Sequence, residues 1–131
     1  MKTLIVEDDF TSRVLLQELL KRYGPIHIAV NGKEAVDAVR AALDQEEPYE
    51  LVCLDIMMPE MDGYQALKEI RGMEEARQIA PSDVARIFMI TALDGMKNVF
   101  QAFHGLCDAY LIKPIVKAKL LEQLNEFHLI G

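Results

Sequence analysis

The chain has 131 residues, of which 51% are hydrophobic and 27% are charged, and its net charge is −7. This length and composition predict one folded domain spanning residues 1–131 and exclude intrinsic disorder. The acidic charge disfavours direct binding to nucleic acid or to an anionic membrane, because phosphate groups would repel it. We see neither a targeting peptide nor a membrane span, and both cysteines fall in or beside predicted strands, so we expect a reduced, cytoplasmic protein.

Five short apolar runs alternate along the chain with longer segments of helical periodicity. Four of the runs carry little charge, as strands covered on both faces do, whereas His27 in the second run indicates an edge strand. This alternation predicts an α/β domain built around a parallel sheet. The predicted strands lie near residues 2–6, 26–30, 50–54, 85–90 and 109–112.

The segments between and after these runs place apolar residues at helical spacing and predict five helices. Pro81 must end the third helix, so residues 72–83 are predicted to extend that helix and then form a loop. The predicted inner faces carry, in chain order, Leu15, Leu16, Leu19, Leu20 and Tyr23; Ala35, Val36, Val39 and Leu43; Tyr64, Leu67 and Ile70; Met96, Phe100 and Phe103; and Val116, Leu120, Leu124 and Phe127.

Charged side chains follow three of the predicted strands. Glu7, Asp8 and Asp9 follow the first strand, Asp55 follows the third, and Lys113 follows the fifth. In an open parallel sheet the carboxyl ends of the strands face one crevice, where ligands bind. Crowded carboxylates repel each other and need a cation, so the pattern predicts a Mg²⁺ site that also binds a phosphoryl group.

The chemistry of such a site suggests a role for each group. Asp8 and Asp55 supply carboxylates to the metal, and the Asp55 carboxylate can attack phosphorus to form an aspartyl phosphate. The metal and the Lys113 ammonium then neutralise the phosphoryl oxygens. Thr91, at the end of the fourth strand, can donate a hydrogen bond to one of those oxygens.

Each of these features also has a purely structural interpretation. The acidic triplet ending at Asp9 is typical of a helix N-terminus, where carboxylates cap the chain. Asp55 alone fits a turn, Lys113 a loop, and Thr91 a strand end. Their occurrence together, at four strand ends of one small domain, favours the shared site.

Five segments together resemble the receiver domain of two-component response regulators, in particular the single-domain, chemotaxis-regulator-like type. The similarity covers nearly the whole chain. The resemblance implies a flavodoxin-like fold, a doubly wound sheet of five parallel strands in the order 2-1-3-4-5 with five helices. The segments are IVEDD at 5–9, NGKEA at 31–35, DIMMPEMDG at 55–63, ITA at 90–92 and YLIKP at 110–114.

The resemblance also implies a set of metal ligands. Asp55 corresponds to the phosphoacceptor and a metal ligand, and Asp8 to the principal acidic ligand. Glu7 corresponds to a neighbour that acts mostly through water, and Met57 to a ligand through its backbone carbonyl. Asp9 falls just outside this acidic pair.

The remaining implied residues concern switching. Thr91 and Lys113 correspond to the pair that binds the phosphoryl group. Tyr110 corresponds to an aromatic switch whose ring turns inward when the threonine moves, although a half-buried strand tyrosine is the structural alternative. The interval from Asp55 to Thr91 is longer than the family pattern, which places extra chain beside the third helix and suggests a partner contact.

The resemblance implies a stand-alone signalling domain rather than an enzyme with turnover. It would take a phosphoryl group from a sensor histidine kinase or phosphotransfer protein and then bind a downstream protein target. One alternative is a Mg²⁺-dependent phosphohydrolase with an aspartyl nucleophile, but Met57 stands where a second acid would be expected. Another is a binding module that needs no phosphorylation, against which the complete set of acids, Thr91 and Lys113 argues.

Overall fold

A computed structural model of the chain describes residues 1–56, 58, 61–91 and 106–130. Five strands pair in parallel in the order β2-β1-β3-β4-β5, which confirms the predicted fold class and strand order. The strands are β1 (Thr3–Val6), β2 (Ile26–Ala29), β3 (Leu51–Asp55), β4 (Arg86–Thr91) and β5 (Ala109–Ile112).

Four α-helices and one 3-10 turn belong to the part of the chain that the structure describes. The predicted helix containing Met96, Phe100 and Phe103 lies outside it. None of the described helices has the length and apolar character needed to cross a membrane. The helices are α1 (Phe10–Leu20), α2 (Gly32–Asp44), α3 (Gly63–Ala76) and α4 (Lys117–Glu126), and the 3-10 turn is Lys21–Tyr23.

The sheet has a hydrophobic core on each face. Successive strand residues point to opposite faces, so Leu4 and Val6 pack with α2 and α3. Ile5, between them, packs with α1 and α4 on the other face. The edge position of β2 is confirmed, because among the described strands it pairs with β1 alone, and His27 is exposed.

Two predicted core residues are exposed instead. Leu15 is 38% exposed, because Leu16 and Leu20 point into the core and Leu15 lies about 100° around the helix from Leu16. Val116 is 51% exposed since it precedes α4, and its neighbour Ile115 is buried in its place. The predictions for Leu15 and Val116 are therefore wrong.

The predicted extension of the third helix is confirmed, because α3 continues to Ala76 before the chain forms a loop.

The guanidinium of Arg71 joins this helix to the sheet. It donates to Glu74 Oε1 at 2.6 Å and to the Ala85 carbonyl oxygen at 2.8 Å. It also donates to the Leu106 carbonyl oxygen at 2.7 Å and to Asp108 Oδ2 at 2.9 Å. Arg71 thus fixes α3 against both the start of β4 and the turn that leads into β5.

Candidate functional site

Three carboxyl groups meet at the carboxyl end of the sheet. Glu7, Asp8 and Asp55 each place one oxygen so that all three atoms lie within 4.8 Å of one another. Glu7 and Asp55 are 1% and 4% exposed, whereas Asp8 is open to solvent. The structure therefore brings together the acidic residues that the sequence predicted to converge.

Strand register explains this meeting of distant residues. β1 and β3 are neighbours, with Val6 paired to Leu54. Glu7 follows Val6 and Asp55 follows Leu54, so the two side chains emerge side by side. The buried strands on both sides leave these carboxyl groups little contact with water.

Lys113 supplies a positive charge to this pair. Its Nζ lies 2.6 Å from Glu7 Oε1 and 3.4 Å from Asp55 Oδ2. Its backbone N–H donates to the Thr91 carbonyl oxygen, which continues the pairing of β4 and β5. Burial lowers the pKa of Lys113, but the hydrogen bond to Glu7 and the charges of Asp55 and Glu7 outweigh burial and raise it. Lys113 therefore stays protonated between the acids.

Glu7 carries the clearest electrostatic signature of the site. Burial raises the pKa of Glu7 to about 7, with the charge of Asp55 adding to the rise and the hydrogen bond from Lys113 opposing it. Within the described part of the chain, no hydrogen-bond partner reaches the buried Oε2 atom of Glu7. One lysine therefore does not satisfy the acidic cluster, and an all-oxygen donor set of this kind fits a hard divalent cation such as Mg²⁺.

The sequence left two interpretations open for the acidic triplet Glu7, Asp8 and Asp9, a helix cap and a shared carboxyl site. The structure shows both. Asp9 is the N-cap of α1, and its side chain accepts a hydrogen bond from the Ser12 N–H at 2.9 Å. The hydrogen bonds from Ser12 lower the pKa of Asp9. Asp9 therefore has a capping role, while Glu7 and Asp8 face Asp55.

Thr91 and Tyr110 lie on the strands where they were predicted. Thr91 is fully buried at the end of β4, in the strand next to that of Asp55. Tyr110, on β5, is half-buried and packs against the core on the side of α2 and α3. Their roles in phosphoryl binding and switching stay predictions, as does that of Met57, which lies outside the described residues.

Two glycines and an arginine support the site and were not predicted to do so. A Cβ atom at Gly63 would collide with the Asp55 carbonyl oxygen, and one at Gly32 would collide with the Met61 carbonyl oxygen. The start of α3 thus lies directly against the end of β3, and the start of α2 lies directly against Met61. Arg13 donates to the Glu7 carbonyl oxygen at 3.3 Å. In the sequence, only the Asp-Gly and Asn-Gly pairs indicated that these glycines matter, and no pattern of residues indicated a role for Arg13.

Comparison with known proteins gives consistent matches along the chain. The family model of the response regulator receiver domain matches residues 3–125. The chemotaxis protein CheY of Bacillus subtilis is 32% identical over 127 residues, which cover 95% of each chain. Hybrid signal transduction histidine kinase B of Dictyostelium discoideum is 34% identical over 134 residues, covering 98% of this chain. This chain spans only 7% of that kinase.

A solved structure extends the comparison to the metal. The receiver domain of the sensor histidine kinase PA1611 of Pseudomonas aeruginosa is 28% identical and superposes with a TM-score of 0.74. The match covers 96% of this chain and 95% of the other. That structure has a magnesium ion coordinated in its active site cleft.

Proposed function

The chain belongs to the response regulator receiver family of two-component signalling domains, and from this we propose that Asp55 accepts a phosphoryl group in a Mg²⁺-dependent transfer. The donor is a histidine kinase or a phosphotransfer protein. One observation carries the proposal: the carboxyl oxygens of Glu7, Asp8 and Asp55 lie within 4.8 Å of one another, and Lys113 Nζ lies 3.4 Å from Asp55.

The transfer step uses the Asp55 carboxylate as nucleophile. One of its oxygens attacks the phosphorus of a phosphohistidine, so an O–P bond forms as the P–N bond breaks. The electron pair of the broken bond stays on the imidazole nitrogen, which takes a proton from water. The chain's own catalysis is limited to this phosphorylation and to the later attack of water on the acyl phosphate.

Lys113 and Thr91 stabilise the phosphoryl group in this proposal. The ammonium of Lys113 already reaches Asp55, so it can pair with a phosphoryl oxygen through a charge-assisted hydrogen bond. The Thr91 hydroxyl donates to a second oxygen. Both groups act where negative charge builds up during the transfer.

Three carboxyl groups and one backbone carbonyl would hold the metal. Asp8 and Asp55 are the direct acidic ligands, Glu7 acts mostly through water, and the carbonyl of Met57 completes the protein's share. When bound, Mg²⁺ supplies positive charge that offsets the charge of the phosphoryl oxygens.

Phosphorylation then changes the surface that a downstream protein binds. Thr91 moves toward the phosphoryl group, and the ring of Tyr110 turns inward behind it. Converting a mostly inactive population into a mostly active one needs about 5 kcal/mol of differential stabilisation. New charge-assisted contacts to Thr91 and Lys113 are the source of that energy.

Intact-mass measurement after incubation with acetyl phosphate tests the phosphoacceptor. We expect one added phosphoryl group with MgCl₂ and none with EDTA or in Asp55→Asn. Asp9→Asn is the matched control, because it makes the same chemical change two residues from Glu7 and asparagine also caps helices well. Equal labelling of wild type and Asp55→Asn would overturn the assignment.

Turnover separates the proposal from the enzymatic alternative. Incubation with p-nitrophenyl phosphate and MgCl₂ should give no sustained product release in the absence of a partner protein. Steady release that Asp55→Asn abolishes would identify a phosphohydrolase instead.

A further inference from the structure

A second concave site lies at the opposite end of the sheet from the carboxyl cluster. It is a cavity of about 340 Å³ between the carboxyl ends of α2 and α3. Tyr49 and Ala85 line it and stand just before β3 and β4, the strands that end at Asp55 and Thr91. Its volume is in the range of small-molecule sites, roughly 300 to 1,000 Å³.

The walls of this cavity are mostly apolar. Leu43 from α2 and Ile79 from the loop after α3 line it together with Tyr49, whose side chain is buried. The Tyr49 hydroxyl lies 2.6 Å from His27 Nδ1, so the phenol already has a polar partner. The cavity therefore offers an aromatic and aliphatic lining to the body of a ligand.

The charge around the cavity is acidic. Glu46, Glu74 and Asp83 line it, and no Lys, Arg or His is among the described residues that do. Glu74 forms an ion pair with Arg71 at 2.6 Å and accepts a hydrogen bond from the Ala85 N–H at 2.8 Å, which leaves Glu46 and Asp83 as exposed carboxylates. The negative ends of the α2 and α3 dipoles add to the same potential.

Lys2, a basic group beside the cavity, does not cancel this charge. Lys2 lies over the Tyr49 ring, with Nζ 4.6 Å from the ring centre. The same Nζ donates to the Glu47 carbonyl oxygen at 2.6 Å, and Lys2 is not part of the lining. The cavity therefore keeps a net preference for positive charge.

The longer segment between Asp55 and Thr91 builds one wall. α3 ends at Ala76, and Gln78 then adopts a left-handed backbone with φ 55° that directs Ile79 into the cavity. Glu46 has the same conformation, with φ 57°, after α2. The chain segments after α2 and α3 thus turn toward each other, and the cavity lies between them.

We propose that this cavity binds a small organic cation, with an apolar or aromatic body and one protonated amine. The body lies between Leu43, Tyr49 and Ile79, and the amine lies at the mouth beside Glu46 and Asp83. None of these residues belongs to the carboxyl site, so the inference does not depend on the proposed phosphorylation.

Tryptamine is a suitable probe, because the chain contains no tryptophan and indole emission reports the probe alone. Fluorescence anisotropy should rise and saturate as the protein is added, with a Kd of about 1 mM for a ligand of this size. Indole-3-propionate has the same ring with a negative charge, and we expect it to bind at least about tenfold more weakly. Amide resonances of Ile79 and Ala85 should shift with tryptamine.

Charge variants locate the amine. The double variant Glu46→Gln with Asp83→Asn should weaken tryptamine binding at least about fivefold. The pair Glu122→Gln with Glu126→Gln changes the net charge equally on α4 and should leave binding unchanged. Equal binding of indole-3-propionate, equal weakening in the control pair, or no saturable binding would each overturn the proposal.

The two proposed sites can be told apart in the same assay. Asp55→Asn should bind tryptamine like the wild type, although it loses acetyl phosphate labelling. Loss of tryptamine binding in a folded Asp55→Asn protein would contradict a separate site.

Discussion

Lys113 contacts two carboxyl groups that are otherwise almost entirely enclosed by protein. Its Nζ is within 3.4 Å of both Glu7 and Asp55, and its own side chain is 16% exposed. Attraction between charges at this distance is strong where water is scarce. Removing the lysine would leave two buried acids facing each other, and part of that cost would be avoided if Glu7 bound a proton.

We therefore predict that Lys113→Met lowers the free energy of unfolding in EDTA by about 2 kcal/mol, since one partner of a largely buried ion pair is lost. Urea denaturation at neutral pH measures the change. Lys119→Met is the matched control and should change stability by less than about 0.5 kcal/mol, because Lys119 is exposed. Equal effects of the two substitutions would show that Lys113 contributes no net stabilisation.

At the scale of elements, three helices end in the same way without a glycine. After α2, α3 and α4 the chain places a residue with positive φ, namely Glu46, Gln78 and His128. In each case this residue and the next donate N–H groups back to the last turn, as in the Schellman motif. These hydrogen bonds therefore require a left-handed backbone conformation, which is unfavourable for residues that have a Cβ atom.

Gln78→Gly should raise the free energy of unfolding by about 0.5 to 1 kcal/mol, because glycine adopts positive φ without the Cβ clash. For a domain of this size the gain corresponds to a Tm increase of roughly 2–5 °C. Thermal unfolding monitored by circular dichroism measures it. Gln78→Ala keeps the Cβ and should give no increase, so a similar gain in that variant would contradict the explanation.

Features that depend on residues close together in the sequence were predictable, whereas features that depend on contacts between distant residues were not. The strands and the acids after them were predictable, since a short apolar run and the residue following it are local features. The prediction for Leu15 was wrong because α1 carries two overlapping apolar stripes, one through Leu15 and one through Leu16. The sequence alone does not show which of the two packs against the sheet. The contacts of Arg71 join residues up to 37 positions apart, and no local pattern indicates them.

At the scale of the whole molecule, the two ends of the sheet differ in how their acidic charge is balanced. The carboxyl end has a lysine among its acids and an oxygen of Glu7 with no partner in the described chain. The amino end has a cavity with exposed Glu46 and Asp83 and no basic lining among the described residues. A net charge of −7 adds a general attraction for cations at both ends.

The carboxyl cluster should therefore couple metal binding to the stability of the whole domain. A ligand that binds only the folded state stabilises it by RT ln(1 + [L]/Kd), which is about 2.7 kcal/mol at one hundred times Kd. We predict that MgCl₂ at that level raises the Tm of the wild type by roughly 6–14 °C and that EDTA reverses the increase.

Asp8→Asn makes this coupling testable against simple charge screening. The substitution removes a carboxylate from the cluster, so in EDTA the variant should be as stable as the wild type or slightly more stable, because one repulsion is gone. In MgCl₂ it should lose most of the Tm increase, since a proposed direct ligand is missing. Asp37→Asn on the exposed face of α2 is the control and should keep the full increase. If Asp8→Asn and wild type gained equally from MgCl₂, and NaCl of matched ionic strength gave the same gain, screening of the net charge would explain the effect and the metal site would not.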